Sequence, residues 1–206
     1  MFTGIIEAIG EVVALQPKNG DLRLRIKTHN LNLADVHLGD SIATNGVCLT
    51  VVDLPGDGYW ADVSRETLDN TTLPGWKIGQ RVNLEKAMLP TTRFGGHIVS
   101  GHVDGIGNVT SFEAVQADPY GSWKLIIAAP QSLAPYLAYK GSVVVNGVSL
   151  TVNLAGSKDV AVCPIEINII PHTLTQTTLG QLKAGDSVNL EVDLIARYVA
   201  RMLGKD

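Results

Sequence analysis

The sequence predicts an all-β protein of two tandem six-stranded antiparallel barrels, followed by a C-terminal helix. Three observations lead there. Short β-branched or alternating segments, bounded by Gly, Asn, Asp or Pro, recur about every 10 residues. The chain repeats itself: residues 45–51 read NGVCLTV and residues 146–152 read NGVSLTV. Beyond Asp193, the residues Leu194, Ile195, Tyr198, Val199 and Met202 follow helical spacing, with Asp193 as a candidate N-cap.

In the first half, strands are expected over 5–15, 22–28, 41–44, 49–52, 59–63 and 81–86. In the second half they are expected over 105–112, 123–128, 142–145, 150–153, 160–169 and 187–192. Six strands per half at this spacing suit closed barrels. Short helical turns are expected over 31–38, 66–71, 132–139 and 173–178. The segment 89–96, LPTTRFGG, is rich in turn residues and reads as the linker. The domains are therefore placed at 1–89, 97–192 and 193–206. The apolar stripe of the last helix packs either on its own domain or on a partner subunit.

The repeat extends along both halves. Thr3-Gly4 and Ile9-Gly10 match Ser100-Gly101 and Ile106-Gly107, 97 positions on. Asn45-Gly46 matches Asn146-Gly147 at 101. Thr67-Leu68, the TTL triplet at 71–73 and VNLE at 82–85 recur at 106. Blocks that keep their order while the spacing grows slowly indicate a duplicated domain with insertions in loops. The period is too long for a solenoid and close to the usual size of a domain.

Composition excludes several classes. At 206 residues, with 45% hydrophobic and 17% charged residues, the chain can bury two cores and is not a disordered one. The net charge is −4 and no Lys/Arg cluster occurs, so neither nucleic acid nor an anionic membrane is an expected partner. No apolar run reaches the length of a membrane span, and the N-terminus lacks the basic region of a signal peptide. The two cysteines, 48 and 163, show neither metal spacing nor a disulfide pattern, so a reducing, cytoplasmic setting is expected. Phosphate-loop, dinucleotide, zinc-protease and serine-elbow motifs are missing; no cofactor and no metal are expected.

The reactive candidates stand where the repeat diverges. Cys48 is matched by Ser149 within otherwise identical motifs, which suggests two similar ligand sites with different chemistry. As a small buried hydrophobe, Cys48 would instead be inert. His97 and His102 flank VSG in GGHIVSGH, and their spacing suits neither one strand face nor one helix face, so a shared metal is disfavoured. One of them could act as a general base; a histidine at the junction of the halves could equally be structural. His172 matches Glu66. Thr50/Thr151 and Thr67/Thr173 recur and suit a polyol or a heteroaromatic edge, or simply strand formation. Glu85 and Glu191 repeat, and Asp193 follows Glu191 by two, which puts both on one side of a strand; such paired acids read as solvated or turn-capping rather than catalytic. Lys140 is asymmetric, since Gly39 holds the matched position.

Together these residues resemble riboflavin synthase. The similarity runs over essentially the whole chain: the MFTGI start, NGVCLTV, ETL…TTL, GGHIVSGHVDG, YKGSVVVNGVSLTV, HTL…TTLG, VNLEVD and the C-terminal helix. The resemblance implies that two molecules of 6,7-dimethyl-8-ribityllumazine exchange a four-carbon unit. One becomes riboflavin and the other a ribitylaminopyrimidinedione, with no metal or redox cofactor. It implies Greek-key barrels that each bind one lumazine, a homotrimer held by the C-terminal helix, and functional association with lumazine synthase. Active sites would form where the first barrel of one subunit faces the second barrel of the next.

Carried over by motif, the first cradle comprises Gly4, Ile5, Ile6, Cys48, Leu49, Thr50, Asp62, Val63, Ser64, Arg65, Glu66 and Thr67. The second comprises Gly101, His102, Val103, Lys140, Ser149, Leu150, Thr151, Asn168, Ile169, Ile170, Pro171, His172 and Thr173. Asp193 matches an acid near the ribityl chain. His102 is the preferred base or proton relay, and Cys48 and Ser149 the candidates for adding to the acceptor ring or positioning water there. Asn146 stands where the family commonly has Asp, keeping the acceptor oxygen without the charge. Two other readings are weighed: a non-catalytic lumazine protein carrying a lumazine or flavin fluorophore, and a flavin-binding oxidoreductase barrel. The absence of a nicotinamide fingerprint disfavours the latter.

Overall fold

The structure is a computed structural model describing residues 1–116, 121–156 and 161–204. It contains two closed six-stranded barrels and a C-terminal helix. The first barrel uses β1 (Ala8–Lys18), β2 (Asp21–Lys27), β3 (Ser41–Thr44), β4 (Val47–Asp53), β5 (Gly58–Val63) and β6 (Arg81–Lys86), closed in the order β1-β2-β5-β4-β3-β6. The second uses β7 (Gly105–Ala114), β8 (Trp123–Pro130), β9 (Ser142–Val145), β10 (Val148–Ala155), β11 (Val162–Ile169) and β12 (Ser187–Val192), in the same cyclic order. Every pairing is antiparallel. Closure leaves no unpaired sheet edge to be protected.

Even the irregularities repeat. β1 shifts register between Val12 and Ala14, and β7 between Val109 and Ser111. β4 shifts between Val51 and Asp53, and β10 between Val152 and Leu154. Each bulge bends its strand, which small closed barrels need. Alternate residues fill the interiors: Val12, Leu24, Ile26, Ile42, Tyr59 and Leu84 in one, and Leu125, Ile127, Ile165, Ile167, Ile169 and Leu190 in the other.

Helix α1 (Arg65–Asn70) starts at Ser64, whose hydroxyl accepts from the Thr67 N–H; α2 (Pro171–Gln176) is its counterpart. Residues 131–136 form a 3-10 turn. The helical turn expected over 31–38 is not there. Asn32 Oδ1 accepts from the Ala34 N–H, and the backbone closes separate four-residue turns at Thr28–Leu31 and Leu33–Val36, so a continuous helix cannot run. Strand β1 begins at Ala8 rather than at Ile5, because the residues before it leave the barrel (below). Val160, the expected start of a strand, and Lys205 and Asp206, the expected end of the last helix, lie outside the described residues.

Helix α3 (Leu194–Met202) is capped by Asp193, which accepts from the Ile195 N–H at 2.8 Å. Arg197 ties it to Asp104, and Asp104 also accepts from the Val192 N–H at 2.8 Å. Ala200 faces inward, whereas Ile195, Tyr198, Val199, Met202 and Leu203 are exposed. Apart from half-buried Leu194, the stripe is thus left exposed by the described residues. No helix among the described residues is long and apolar enough to cross a membrane.

Candidate active site

The two halves meet about a pseudo-twofold axis. Phe2 and Val99, matched positions of the repeat, pair with each other through N–H···O bonds of 2.7 and 3.0 Å. The Asn-Gly turns joining β3 to β4 and β9 to β10 also meet. Asn45, Gly46, Asn146 and Gly147 all have positive φ, the signature of a tight hairpin turn. A Cβ on Gly46 would lie 2.7 Å from the Gly147 nitrogen. Around this contact four buried asparagines satisfy one another's backbone. Asn83 donates to the Asn146 carbonyl at 2.9 Å and accepts from the Thr178 N–H at 2.7 Å. Asn189 does the same with the Asn45 carbonyl (2.9 Å) and the Thr72 N–H (2.8 Å). Asn45 and Asn146 accept from the backbone of Asn83 and Asn189. The role of Asn146 in this structure is thus to fix β12, with its neutral oxygen sufficient for the task.

This joint places Cys48 and Ser149 just past the axis, and it changes the grouping expected for the cradles. Gly4 lies against Ser149, not Cys48: the Ser149 N–H donates to the Gly4 carbonyl at 2.8 Å, and a Cβ on Gly4 would fall 2.6 Å from that of Ser149. Gly101 lies against Cys48 in the same way, with a bond of 2.8 Å and a would-be Cβ at 2.7 Å. Both glycines have positive φ, so two separate constraints demand glycine there. Ile6 packs on the second core and Val103 on the first. The segments before β1 and β7 are therefore exchanged. Sequence order suggested otherwise because each segment adjoins its own barrel's first strand.

The first cradle, regrouped, sets Cys48, half-buried, with exposed Thr50 on β4, next to β5 and α1 and faced by Gly101, exposed His102 and Val103. Leu49 and Val63 point into the core. Asp62 is held by Lys18 at 2.7 Å, Arg65 pairs with Asp69, and Glu66 accepts from Asn70. The second cradle sets Ser149, Leu150 and exposed Thr151 on β10, next to β11 and α2, faced by Gly4, exposed Ile5 and Ile6. Ile169 is buried, and Asn168, Ile170, Pro171 and His172 are exposed. Lys140 donates to Asn153 at 2.9 Å and adopts φ +62, the conformation Gly39 takes in the other half. A lysine held in that region costs about 1 kcal/mol, a cost that tends to collect at functional sites.

Of the two histidines considered as a base, the less favoured one stands beside a reactive group. His97 Nδ1 lies 2.7 Å from Ser149 Oγ. Burial holds this imidazole below its ordinary pKa, with the Asp193 carboxylate pulling partly the other way, so the ring is neutral near pH 7. Its Nε2 is buried without a hydrogen-bond partner among the described residues. Among the described residues, His102 has only its backbone engaged, donating to Ser100 Oγ at 3.3 Å. The signal for His97 was the pair of preceding glycines. Gly96 presses so close to Thr3 and Ser149 that a Cβ would sit 2.1 Å from the Thr3 carbonyl oxygen and 2.9 Å from Ser149 Cβ, which draws the next residue into the pocket.

Both cradles are open faces. The groove of about 550 Å³ at the joint is lined by Asn45, Trp76, Arg81, Asn146, Gln181 and Asp186 and touches neither Cys48 nor Ser149. The second cradle instead carries exposed apolar groups, Ile5 at 47% and Ile170 at 53%, and the first exposes Thr50 and His102.

Residues 3–87 and 100–193 each match the lumazine binding domain. The chain is 50% identical to riboflavin synthase of Photobacterium phosphoreum, over 98% of this chain and 89% of that one. It is 45% identical to the Mycobacterium tuberculosis enzyme of the same name, over 98% of each. The chain belongs to the riboflavin synthase family. The similarity takes in both halves of the repeat and nearly the full length of the chain. Among solved structures, LumP complexed with riboflavin superposes with a TM-score of 0.81 at 26% identity, covering 93% of this chain and 99% of that one. LumP complexed with 6,7-dimethyl-8-ribityllumazine gives 0.79 at the same identity and coverage.

Proposed function

We propose that the protein converts two molecules of 6,7-dimethyl-8-ribityllumazine into riboflavin and 5-amino-6-(ribitylamino)pyrimidinedione by transfer of a four-carbon unit. The observation that carries this reading is a pair of matched cradles with different reactive groups: Cys48 against the Gly101 backbone in one, Ser149 paired with His97 in the other. Two identical substrates need two similar beds, and a donor and an acceptor need different chemistry. Thr50, Thr67, Thr151, Thr173 and Lys140 present hydroxyls and a cation toward ring edges and ribityl oxygens. Backbone groups of residues 4–6, 62–67, 101–103 and 168–173 read the pyrimidine edge.

Neutral His97 is the base that takes the proton from the acidic methyl group of one lumazine, with His102 and Asp193 assisting at the ribityl side. General-base assistance of this kind contributes about 10²–10⁴-fold. Juxtaposition supplies more, since effective molarities reach about 10⁵–10⁸ M. Each cradle is open, and each needs a cover. The cover is a second subunit. The apolar face of α3 joins the protein into a homotrimer in which the first barrel of one subunit faces the second barrel of the next. The setting is the cytoplasm, in functional association with lumazine synthase.

The test is to incubate the purified protein with 6,7-dimethyl-8-ribityllumazine alone and follow riboflavin absorbance. Production of riboflavin and the pyrimidinedione in equal amounts is expected. Tight binding without turnover would overturn the enzyme reading and favour a fluorophore carrier, the alternative raised by the likeness to LumP.

A further inference from the structure

The two repeated acids, Glu85 on β6 and Glu191 on β12, are 4% and 3% exposed, and neither touches a reactive group. Each instead receives a full set of donors from the segment that leaves its own barrel. Glu85 Oε1 accepts from the Thr3 N–H at 2.6 Å and from the Thr3 hydroxyl at 2.7 Å, and Oε2 accepts from the Gly4 N–H at 2.9 Å. Glu191 Oε1 accepts from the Ser100 N–H at 2.7 Å and its hydroxyl at 2.6 Å, and Oε2 accepts from the Gly101 N–H at 2.9 Å. The same hydroxyls accept in turn from the N–H groups of Ile5 and His102, at 3.3 Å each. The next contact along each segment lies in the opposite barrel: Gly4 on Ser149, Gly101 on Cys48.

We propose that Glu85 and Glu191 are positioning residues acting crosswise, each shaping the pocket of the barrel it does not belong to. Only a carboxylate suits the task. All the donors aimed at it are N–H or O–H groups, so every oxygen must accept. Burial pushes both carboxyls above their ordinary pKa, while these same donors pull the other way. A glutamine must turn its NH₂ toward either the Gly4 (or Gly101) N–H or the pair on Oε1. One face of the segment is then repelled, and a buried donor is left unpaired. The wall bearing Gly4 then lifts from Ser149 in Glu85→Gln, and the wall bearing Gly101 lifts from Cys48 in Glu191→Gln.

The crossed pattern can be read without any ligand in the full-length protein. Cys163 is fully buried, so iodoacetamide reports on Cys48. Labelling should quicken about tenfold in Glu191→Gln, as a lost charged hydrogen bond warrants, and stay within about twofold of the parent in Glu85→Gln. The ¹⁵N resonance of His97 Nδ1, bonded to Ser149, should move in Glu85→Gln and hold still in Glu191→Gln. A merely structural role would shift both reporters together in either variant. Where a glutamine variant fails to fold, Thr3→Val and Ser100→Ala each remove one hydroxyl donor and should give the same crossed pattern, reduced. An uncrossed pattern, or equal movement of both reporters, overturns the proposal. The consequence for turnover rests on the riboflavin synthase reading: both variants should then lose about tenfold or more in kcat/KM with ribityllumazine. A crossed pattern in a protein that does not turn over ribityllumazine would refute that reading and leave the linkage standing.

Discussion

Replacing Asn83 with alanine should destabilise the whole molecule, and the structure sets the size of the effect. The side chain is 1% exposed and spans the joint between barrels. Its removal strips the Asn146 carbonyl and the Thr178 N–H of their partners, at 2.9 and 2.7 Å, both on buried residues. Each buried group left unpaired costs about 1–3 kcal/mol, so the pair should cost about 4 kcal/mol together. For a chain of this length about 1 kcal/mol lowers Tm by about 2–4 °C, which gives a fall of about 8–16 °C. Asn189→Ala should match it within about 1 kcal/mol, since it strips the Asn45 carbonyl and the Thr72 N–H at nearly equal distances. Differential scanning calorimetry at neutral pH measures both. A Tm change under 3 °C, or a large effect in one variant alone, would show that the asparagines do not clamp the barrels as described.

Four other outcomes follow from the same structure. His97→Gln should lower kcat about 10²–10³-fold, and the acidic limb of the parent's kcat/KM profile, which reports the free protein, should lie below 6.5, because the lowered pKa keeps the base free until the pH falls past it; a limb above 6.5 would count against His97. The same shift means that the unfolded chain binds a proton more readily than the folded one, so this histidine's contribution makes stability decline as pH drops through 6.5 toward its folded value. Gly101→Ala should retain the fold, lose the Cys48 N–H bond and cut kcat/KM at least about tenfold, since the strained φ and the 2.7 Å contact cost together about 2–3 kcal/mol; near-parental kinetics would contradict the crossed wall. Ile195→Glu combined with Tyr198→Glu should yield monomers by sedimentation and abolish turnover while leaving the melting curve of each barrel intact; a trimer that persists would assign assembly to another surface.

The twelve strands, the C-terminal helix and its cap were legible because they depend on local patterns: alternation, turn residues and a 3.6-residue stripe. Twin motifs also led directly to Cys48 and Ser149. Partnership across the axis was not legible. Nothing in the string says that Gly4 belongs with Ser149, since the exchange depends on how two barrels dock, which is a long-range property. For the same reason nothing in the string showed that Glu85 and Glu191 are buried: the Thr3 and Ser100 segments that cover them lie more than 80 positions away. His97 was undervalued beside His102, because both histidines follow a glycine and only packing distinguishes the one that turns inward.

The pairing of Phe2 with Val99 has an evolutionary implication. A residue that meets its own counterpart marks an isologous contact, the kind two copies of a single chain make. The present molecule is thus built like a dimer of one-barrel ancestors whose arms had already been swapped. Separate one-barrel chains that drifted apart would form like pairs as readily as unlike ones. Tethering them in one polypeptide guarantees that every molecule holds one thiol bed and one hydroxyl bed, so the lineage could specialise each without ever assembling two of the same.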